Sequence, residues 1–258
     1  MKRVFTDMTG RETEIVFPPR RIISVVPSQT ELLYDLGLQE EVIALTKFCV
    51  HPQQWYRNKE RIGGTKNLNL EKIKSLAPDL ILANKEENTK EEIEELQRHF
   101  PVWISDITTV EHALQMIGHI GDITGKHDAA QQLIRTIIEN YPDEKTTLRS
   151  AAYFIWYRPW MCVGNTTFIH DVLRRCGYKN VFGKESRYPE INEEQLKEAD
   201  PDVVLLSSEP FPFKEKHITE IKKILPNTEV KLVDGELFSW YGSRMVKACP
   251  YLKSFVRK

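Results

Sequence analysis

Asn69-Leu70-Glu71-Lys72-Ile73-Lys74-Ser75-Leu76-Ala77-Pro78-Asp79-Leu80-Ile81-Leu82 reads as a short helix, a proline stop and a buried strand. Asn192-Glu193-Glu194-Gln195-Leu196-Lys197-Glu198-Ala199-Asp200-Pro201-Asp202-Val203-Val204-Leu205 reads the same way. Each opens on an asparagine, whose side chain can accept from the free N–H groups of a first helical turn. Each places a glutamate in that turn, where the helix dipole favours a carboxylate. Glu71 and Glu194 are 123 positions apart, as are Pro78 and Pro201, close to half of the 258 residues. A unit repeated at half the chain length predicts two similar lobes with a cleft between them.

The sequence around the repeats supports α/β lobes with parallel sheets. Val4–Asp7 and Glu12–Val16 flank Gly10 and predict a small hairpin. Ile22-Ile23-Ser24-Val25-Val26 is a β-branched apolar run, expected as a buried strand. Ser28 and Glu31 fit a capping box for the helix that follows, with Leu32, Leu33 and Leu36 on its apolar face and Gly37 at its end. Val42–Leu45 and Val102–Ile104 are further strands. Val110–Ile123 and His127–Asn140 carry apolar residues at helical spacing. The pattern then restarts with a strand over 151–156, a Trp/Tyr-rich loop and a helix over 168–175. It continues with a helix over 214–224, a strand over 230–233 and a last helix over 242–255, interrupted at Pro250. The expected organisation is an N-terminal lobe over 1–124, a connecting backbone helix within 125–145 and a C-terminal lobe over 146–258. No Gly/Ser-rich linker separates the halves, so the connection is expected to be rigid.

Bulk composition and motifs exclude several function classes. Net charge is −1, with 36 Lys+Arg against 37 Asp+Glu and no long basic run, so nucleic acid is not an expected partner. No apolar run approaches the roughly 20 residues needed to span a bilayer. Met1-Lys2-Arg3-Val4-Phe5-Thr6-Asp7 leads into no apolar segment, which taken alone predicts a cytoplasmic chain. There is no Gly-x-Ser-x-Gly elbow, phosphate loop or dinucleotide fingerprint. Cys49-Val50-His51 lacks the third group that orients a nucleophile and base, so an enzyme is not expected. Two such residues are also short of the three or four ligands of a zinc site, and no metal or cofactor is assigned.

The order of motifs resembles a known family. A hairpin, Arg21-Ile22-Ile23-Ser24-Val25-Val26-Pro27-Ser28-Gln29-Thr30-Glu31, Asn69-Leu70-Glu71 through Pro78-Asp79-Leu80, a long helix and a second Pro201-Asp202 strand follow one another. This resembles the substrate-binding proteins of ABC importers with a helical backbone, the class that binds cobalamin, haem or ferric siderophores. Within it the resemblance points to the periplasmic cobalamin binders. It implies two Rossmann-like lobes joined by one long helix, here about Lys126 to Tyr141. It also implies a corrinoid or other metal chelate held in the cleft as transported ligand, and delivery by a monomer to a membrane permease. Glu71 and Glu194 match the acids that dock on that permease. A periplasmic or cell-surface location follows from the resemblance, as does a disulfide joining Cys176 and Cys249. A cytoplasmic ligand-handling or sensor protein of the same fold is the alternative.

Ligands of parallel α/β lobes lie beyond the carboxyl ends of the strands. The aromatic residues there are the candidate contacts: Trp156, Tyr157 and Trp160 after the first strand of the second half, Tyr188 before the second repeat, and Trp240 and Tyr241 after the last strand. Phe48 is the candidate on the first lobe. Gly63-Gly64-Thr65-Lys66 and Asn84-Lys85-Glu86-Glu87-Asn88 stand where the cobalamin binders have aromatic residues, so a more polar first-lobe wall is expected. Lys66 and Lys85 on the first lobe and Arg158 on the second are available for carboxylates or phosphate.

Overall fold

Both copies of the repeat form the helix and strand that their residues dictate in the computed structural model, which describes residues 1–143, 146 and 149–256. Asn69 Oδ1 accepts from the Lys72 N–H at 3.0 Å, and Asn192 Oδ1 accepts from the Gln195 N–H at 2.9 Å. Each helix ends on a left-handed residue, Ala77 (φ 44°) or Asp200 (φ 36°), and each proline follows at once. The aspartate after the proline does the same work twice. Asp79 accepts the N–H groups of Arg20 (2.8 Å) and Arg21 (2.9 Å), and Asp202 accepts the N–H (2.6 Å) and hydroxyl (2.8 Å) of Ser150. Each carboxylate ties the start of the neighbouring parallel strand to its own.

The chain forms two compact units. Unit 1 comprises Met1–Ile107, Glu111–Ile138 and Tyr241–Arg244. Its strands are β1 (Lys2–Thr6), β2 (Glu12–Val16), β3 (Ile22–Ser24), β4 (Val42–Leu45), β5 (Glu60–Arg61), β6 (Gly63–Gly64), β7 (Asn67–Leu68), β8 (Leu80–Asn84) and β9 (Val102–Ser105). Its helices are α1 (Pro27–Asp35), α2 (Gln53–Asn58), α3 (Leu70–Leu76), α4 (Lys90–Gln97), α5 (Val110–Thr124) and α6 (His127–Asn140), the last two straddling the division between the units. The central sheet is wholly parallel in the order β5-β4-β3-β8-β9, and β1 pairs with β2 as the expected hairpin. Ile22, Ile23, Leu80, Ile81 and Leu82 have no exposed surface, as expected for strands covered on both faces.

Unit 2 comprises Thr108–Val110, Glu139–Trp240 and Met245–Lys258. It contains β10 (Arg149–Trp156), β11 (Trp160–Cys162), α7 (Phe168–Arg175), β12 (Tyr178–Asn180), β13 (Glu190–Ile191), α8 (Glu193–Ala199), β14 (Val203–Ser207), α9 (Glu215–Ile224), β15 (Glu229–Val233), α10 (Gly235–Ser239) and α11 (Arg244–Lys253). The sheet order is β13-β11-β10-β14-β15 with β12 also on β10. The pairs among β10, β12, β14 and β15 are parallel, whereas β11 is antiparallel to both β10 and β13. Phe154, Leu196, Val204, Leu206, Phe213 and Ile221 form part of its core. Positions 144 and 145 of the expected connecting segment lie outside the described residues, as do 147, 148, 257 and 258 of the expected C-terminal lobe. Among the described residues no helix is long and apolar enough to cross a membrane.

Three local expectations are corrected. The first helix starts at Pro27, not after a Ser28 cap. Val26 is its extended N-cap (φ −129°, ψ 124°), and proline at the first helical position gives up an N–H that would have no partner there. Glu31 is not turned back on the helix start. Its Oε2 accepts from Arg244 Nε at 2.7 Å, with the two side chains 4% and 10% exposed. The Trp/Tyr-rich loop is a hairpin, in which Arg158 takes a positive φ of 61° and Trp160–Cys162 returns as β11. Pro250 lies inside α11 without interrupting it, since it falls in the last turn and forfeits only one intrahelical bond.

Candidate functional site

Glu71 and Glu194 both project from the first turn of their helices, α3 and α8. The Glu71 side chain is 88% exposed and stands 3.6 Å from Lys74. Glu194 is likewise exposed. The two caps that hold these turns are described above, and in α8 the cap is reciprocal, with the Asn192 N–H donating to Gln195 Oε1 at 2.9 Å. Among the described residues, Glu71 pairs only with Lys74 of its own helix.

At the carboxyl end of β4, Phe48 is 51% exposed. It lies against Gly64, where an added Cβ would come within 3.1 Å of the ring, and the Lys47 ammonium stands 5.1 Å from the ring centre. Cys49 beside it is fully buried. It receives the Thr30 hydroxyl at 3.1 Å and lies 3.2 Å from Thr46 Oγ1, and burial pushes its thiol above the usual range. Such a thiol packs rather than attacks. His51 is half-buried two residues on, and among the described residues no group of three potential metal ligands assembles there or elsewhere.

In the polar segment Asn84–Asn88 the two asparagines turn inward, while Lys85 is exposed and Glu86 and Glu87 are half-buried. Asn84 and Asn88 are buried. Asn88 donates to the carbonyls of Val25 (3.2 Å) and Thr65 (2.9 Å) and accepts from the Asn84 N–H (2.9 Å). Asn84 bonds Ser105 and accepts the N–H groups of Glu86 and Glu87. These amides satisfy backbone groups that would otherwise be buried without partners. Lys85 is exposed but paired with Asp106 at 2.5 Å, so its charge is answered within unit 1.

In unit 2 the candidate aromatic residues divide. Trp156 is 40% exposed and meets Phe211 edge-on, with ring centres 5.9 Å apart. Trp160 and Tyr188 are half-buried; Trp160 meets Phe154 edge-on at 5.9 Å. Tyr157 is folded onto Phe211 (5.4 Å), Phe213 (6.4 Å) and His217 (4.8 Å), and its hydroxyl donates to Glu220 Oε2 at 2.8 Å. That bond, together with burial, raises the phenol above its ordinary range. Tyr157 thus serves the packing of α9, and with Arg158, Trp160, Glu193 and Lys197 it also lines a groove of about 560 Å³. Trp240 is half-buried with its indole N–H on Glu209 Oε1 at 2.9 Å. Tyr241 is 6% exposed and belongs to unit 1.

Sequence reasoning missed Glu209 and the Phe211–Phe213–His217 group. The signal was Glu209-Pro210-Phe211-Pro212-Phe213, an aromatic, proline-fixed segment at the end of β14. Cys176 and Cys249 are unbridged and buried. Cys176 Sγ lies 3.8 Å from the Leu252 carbonyl and Cys249 Sγ 3.1 Å from that of Met245. The implied bridge is therefore not formed in this structure, and burial pushes the Cys176 thiol up to about 12.

Comparison with known proteins bears on this arrangement. A family model described as periplasmic binding protein matches residues 22–233. A vitamin B12-binding protein of Vibrio campbellii is 28% identical over 197 residues, covering 74% of this chain and 71% of that one. An uncharacterised ABC transporter substrate-binding lipoprotein of Bacillus subtilis is 24% identical over 213 residues, covering 77% of this chain and 67% of that one. The crystal structure of the periplasmic vitamin B12 binding protein of Vibrio cholerae aligns with a TM-score of 0.76 at 22% identity, covering 93% of this chain and 97% of that one.

Proposed function

The chain belongs to the periplasmic binding protein family, and from that premise we propose that it is the substrate-binding component of an ABC importer for a corrinoid or related metal chelate. The observation that carries the transport reading is the matched pair Glu71 and Glu194. They occupy equivalent first-turn positions in the two units, and both are exposed. Two such carboxylates suit a membrane permease that presents basic side chains. The named relatives, one a vitamin B12-binding protein and one an ABC transporter lipoprotein, support the same reading. The protein then works as a single copy in the periplasm or at the cell surface.

Phe48 on unit 1 and Trp156, Trp160, Tyr188 and Trp240 on unit 2 are the contacts we assign to the ligand. They offer flat apolar area with little rotamer entropy to lose. Tyr157 and Tyr241 are left out, since one is held by Glu220 and the other is buried. The test is the thermal midpoint of the purified protein with cyanocobalamin, dicyanocobinamide, haemin or ferrichrome. At a hundredfold excess over Kd a specific ligand adds about 2.7 kcal/mol, a shift of several degrees. No shift with any of the four overturns the reading.

A further inference from the structure

The loop after β14 carries a carboxylate in an unusual setting. Glu209 Oε1 accepts two bonds, from Ser239 Oγ at 2.8 Å and from the Trp240 indole N–H at 2.9 Å. Its backbone is fixed as well. The Ser207 hydroxyl donates to the Glu209 carbonyl at 2.6 Å, and the Tyr153 hydroxyl supports Ser207 at 3.2 Å. Gly235 leaves room for the side chain, since an added Cβ there would stand 2.5 Å from Glu209 Cγ. Half-buried and held at both ends, this carboxylate has no ion-pair partner among the described residues, and its second oxygen, Oε2, accepts no bond. Burial raises its carboxyl above the usual range, and the like charges of Glu236 and Asp234 push the same way.

Resting on the function proposed above, we propose that Glu209 sets ligand specificity on unit 2. It fixes the Trp240 indole and offers Oε2 to hydrogen-bond donors on the rim of the ligand. The preferred ligand is therefore a chelate whose periphery carries amide N–H groups, and one whose periphery carries carboxylates is disfavoured. The reasoning is electrostatic. A partly desolvated carboxylate without a counter-charge gains from an N–H donor and repels a second carboxylate. Two neighbouring acids strengthen that repulsion. On unit 1, Lys85 is paired with Asp106.

Dicyanocobinamide, with an amide rim, and haemin, with two carboxylates, are the probes. Their affinities are measured by absorbance titration on the wild type and on Glu209→Gln, Glu209→Asp and Glu209→Ala. The wild type is expected to favour dicyanocobinamide. E209Q keeps an oxygen for the indole but loses the charge, so it should weaken dicyanocobinamide about tenfold and leave haemin unchanged or tighter. E209D should retain the preference, and it serves as the test if E209Q does not fold. E209A should in addition change the tryptophan emission, because the indole loses its acceptor. A wild type that prefers haemin overturns this inference while the transport reading stands. So does an E209Q variant that leaves the ratio of the two affinities unmoved. A wild type that binds neither probe in any form overturns the inference and also removes two of the ligands on which the transport reading rests.

Discussion

In unit 1 the chain leaves the carboxyl end of β8 through Asn84–Asn88, and in unit 2 it leaves the carboxyl end of β14 through Ser207–Phe213. Both loops follow the same repeat, at the same point of a parallel sheet. The first turns its polar groups inward, where two asparagines close backbone hydrogen bonds around Val25, Thr65 and Ser105. The second keeps apolar rings together and leaves a carboxylate with a vacant oxygen beside a tryptophan. A duplicated frame fixes where a loop begins but not what the loop does, because the frame is held by the cap, the proline and the aspartate, all of which precede the strand.

The difference can be broken most sharply in the first loop. Asn88→Ala strips a partner from a buried carbonyl, a half-buried carbonyl and one N–H, so it should cost about 2–3 kcal/mol in urea denaturation. A loss under about 0.5 kcal/mol, the scale of an ordinary surface change, would show that the amide network is not what shapes this loop.

The sameness of the frame is tested by Asp79→Ala and Asp202→Ala. Each should cost about 1–2 kcal/mol, because each carboxylate accepts two bonds from the neighbouring strand start. A loss in one variant and not the other would break the equivalence of the repeats. For Asp202 the bonds from Ser150 hold the carboxyl below the usual aspartate value of 3.8. The folded state therefore favours the ionised form. The stability this adds is complete above the unfolded value, near 4, and is lost as pH falls from there through the lower folded value. Asp202→Asn should flatten that part of the acid denaturation curve, and an unchanged curve would count against the bonds from Ser150.

The smallest change in stability should come from Glu71→Lys and Glu194→Lys. Each replaces a favourable dipole contact at an exposed first turn and should cost no more than about 1 kcal/mol. Retention of a detergent-solubilised cognate permease on the immobilised protein should nevertheless be lost. Undiminished retention by the double variant would remove the docking role and leave the two glutamates as helix-start residues only.

The frame was readable in the sequence because its determinants are local. Asn69, Asn192, Pro78, Pro201 and the apolar runs after them act within a few residues of themselves. What escaped was determined at long range. Glu31 looked like half of a capping box because its partner, Arg244, lies 213 positions away. The packing role of Tyr157 was hidden because Glu220, which accepts from its hydroxyl, belongs to a helix 63 positions on. Trp160 looked like loop because a sequence rich in Trp, Arg and Pro hides a three-residue strand paired to β10. Asn84 and Asn88 looked like wall because composition does not say whether an amide faces solvent or backbone. Glu209 was overlooked for a similar reason, since its importance comes from Ser239 and Trp240, about thirty positions later.

The Glu31–Arg244 pair has a consequence for how the molecule can be divided. Unit 1 is not a continuous piece of chain, because the four residues Tyr241–Arg244 return to it after all of unit 2's sheet has been made. A polypeptide ending at the close of α6 would carry the whole parallel sheet of unit 1 yet leave Glu31 without its guanidinium. Unit 1 is therefore not complete in any continuous piece of chain that stops short of Arg244. It cannot complete this ion pair until Arg244 has been made.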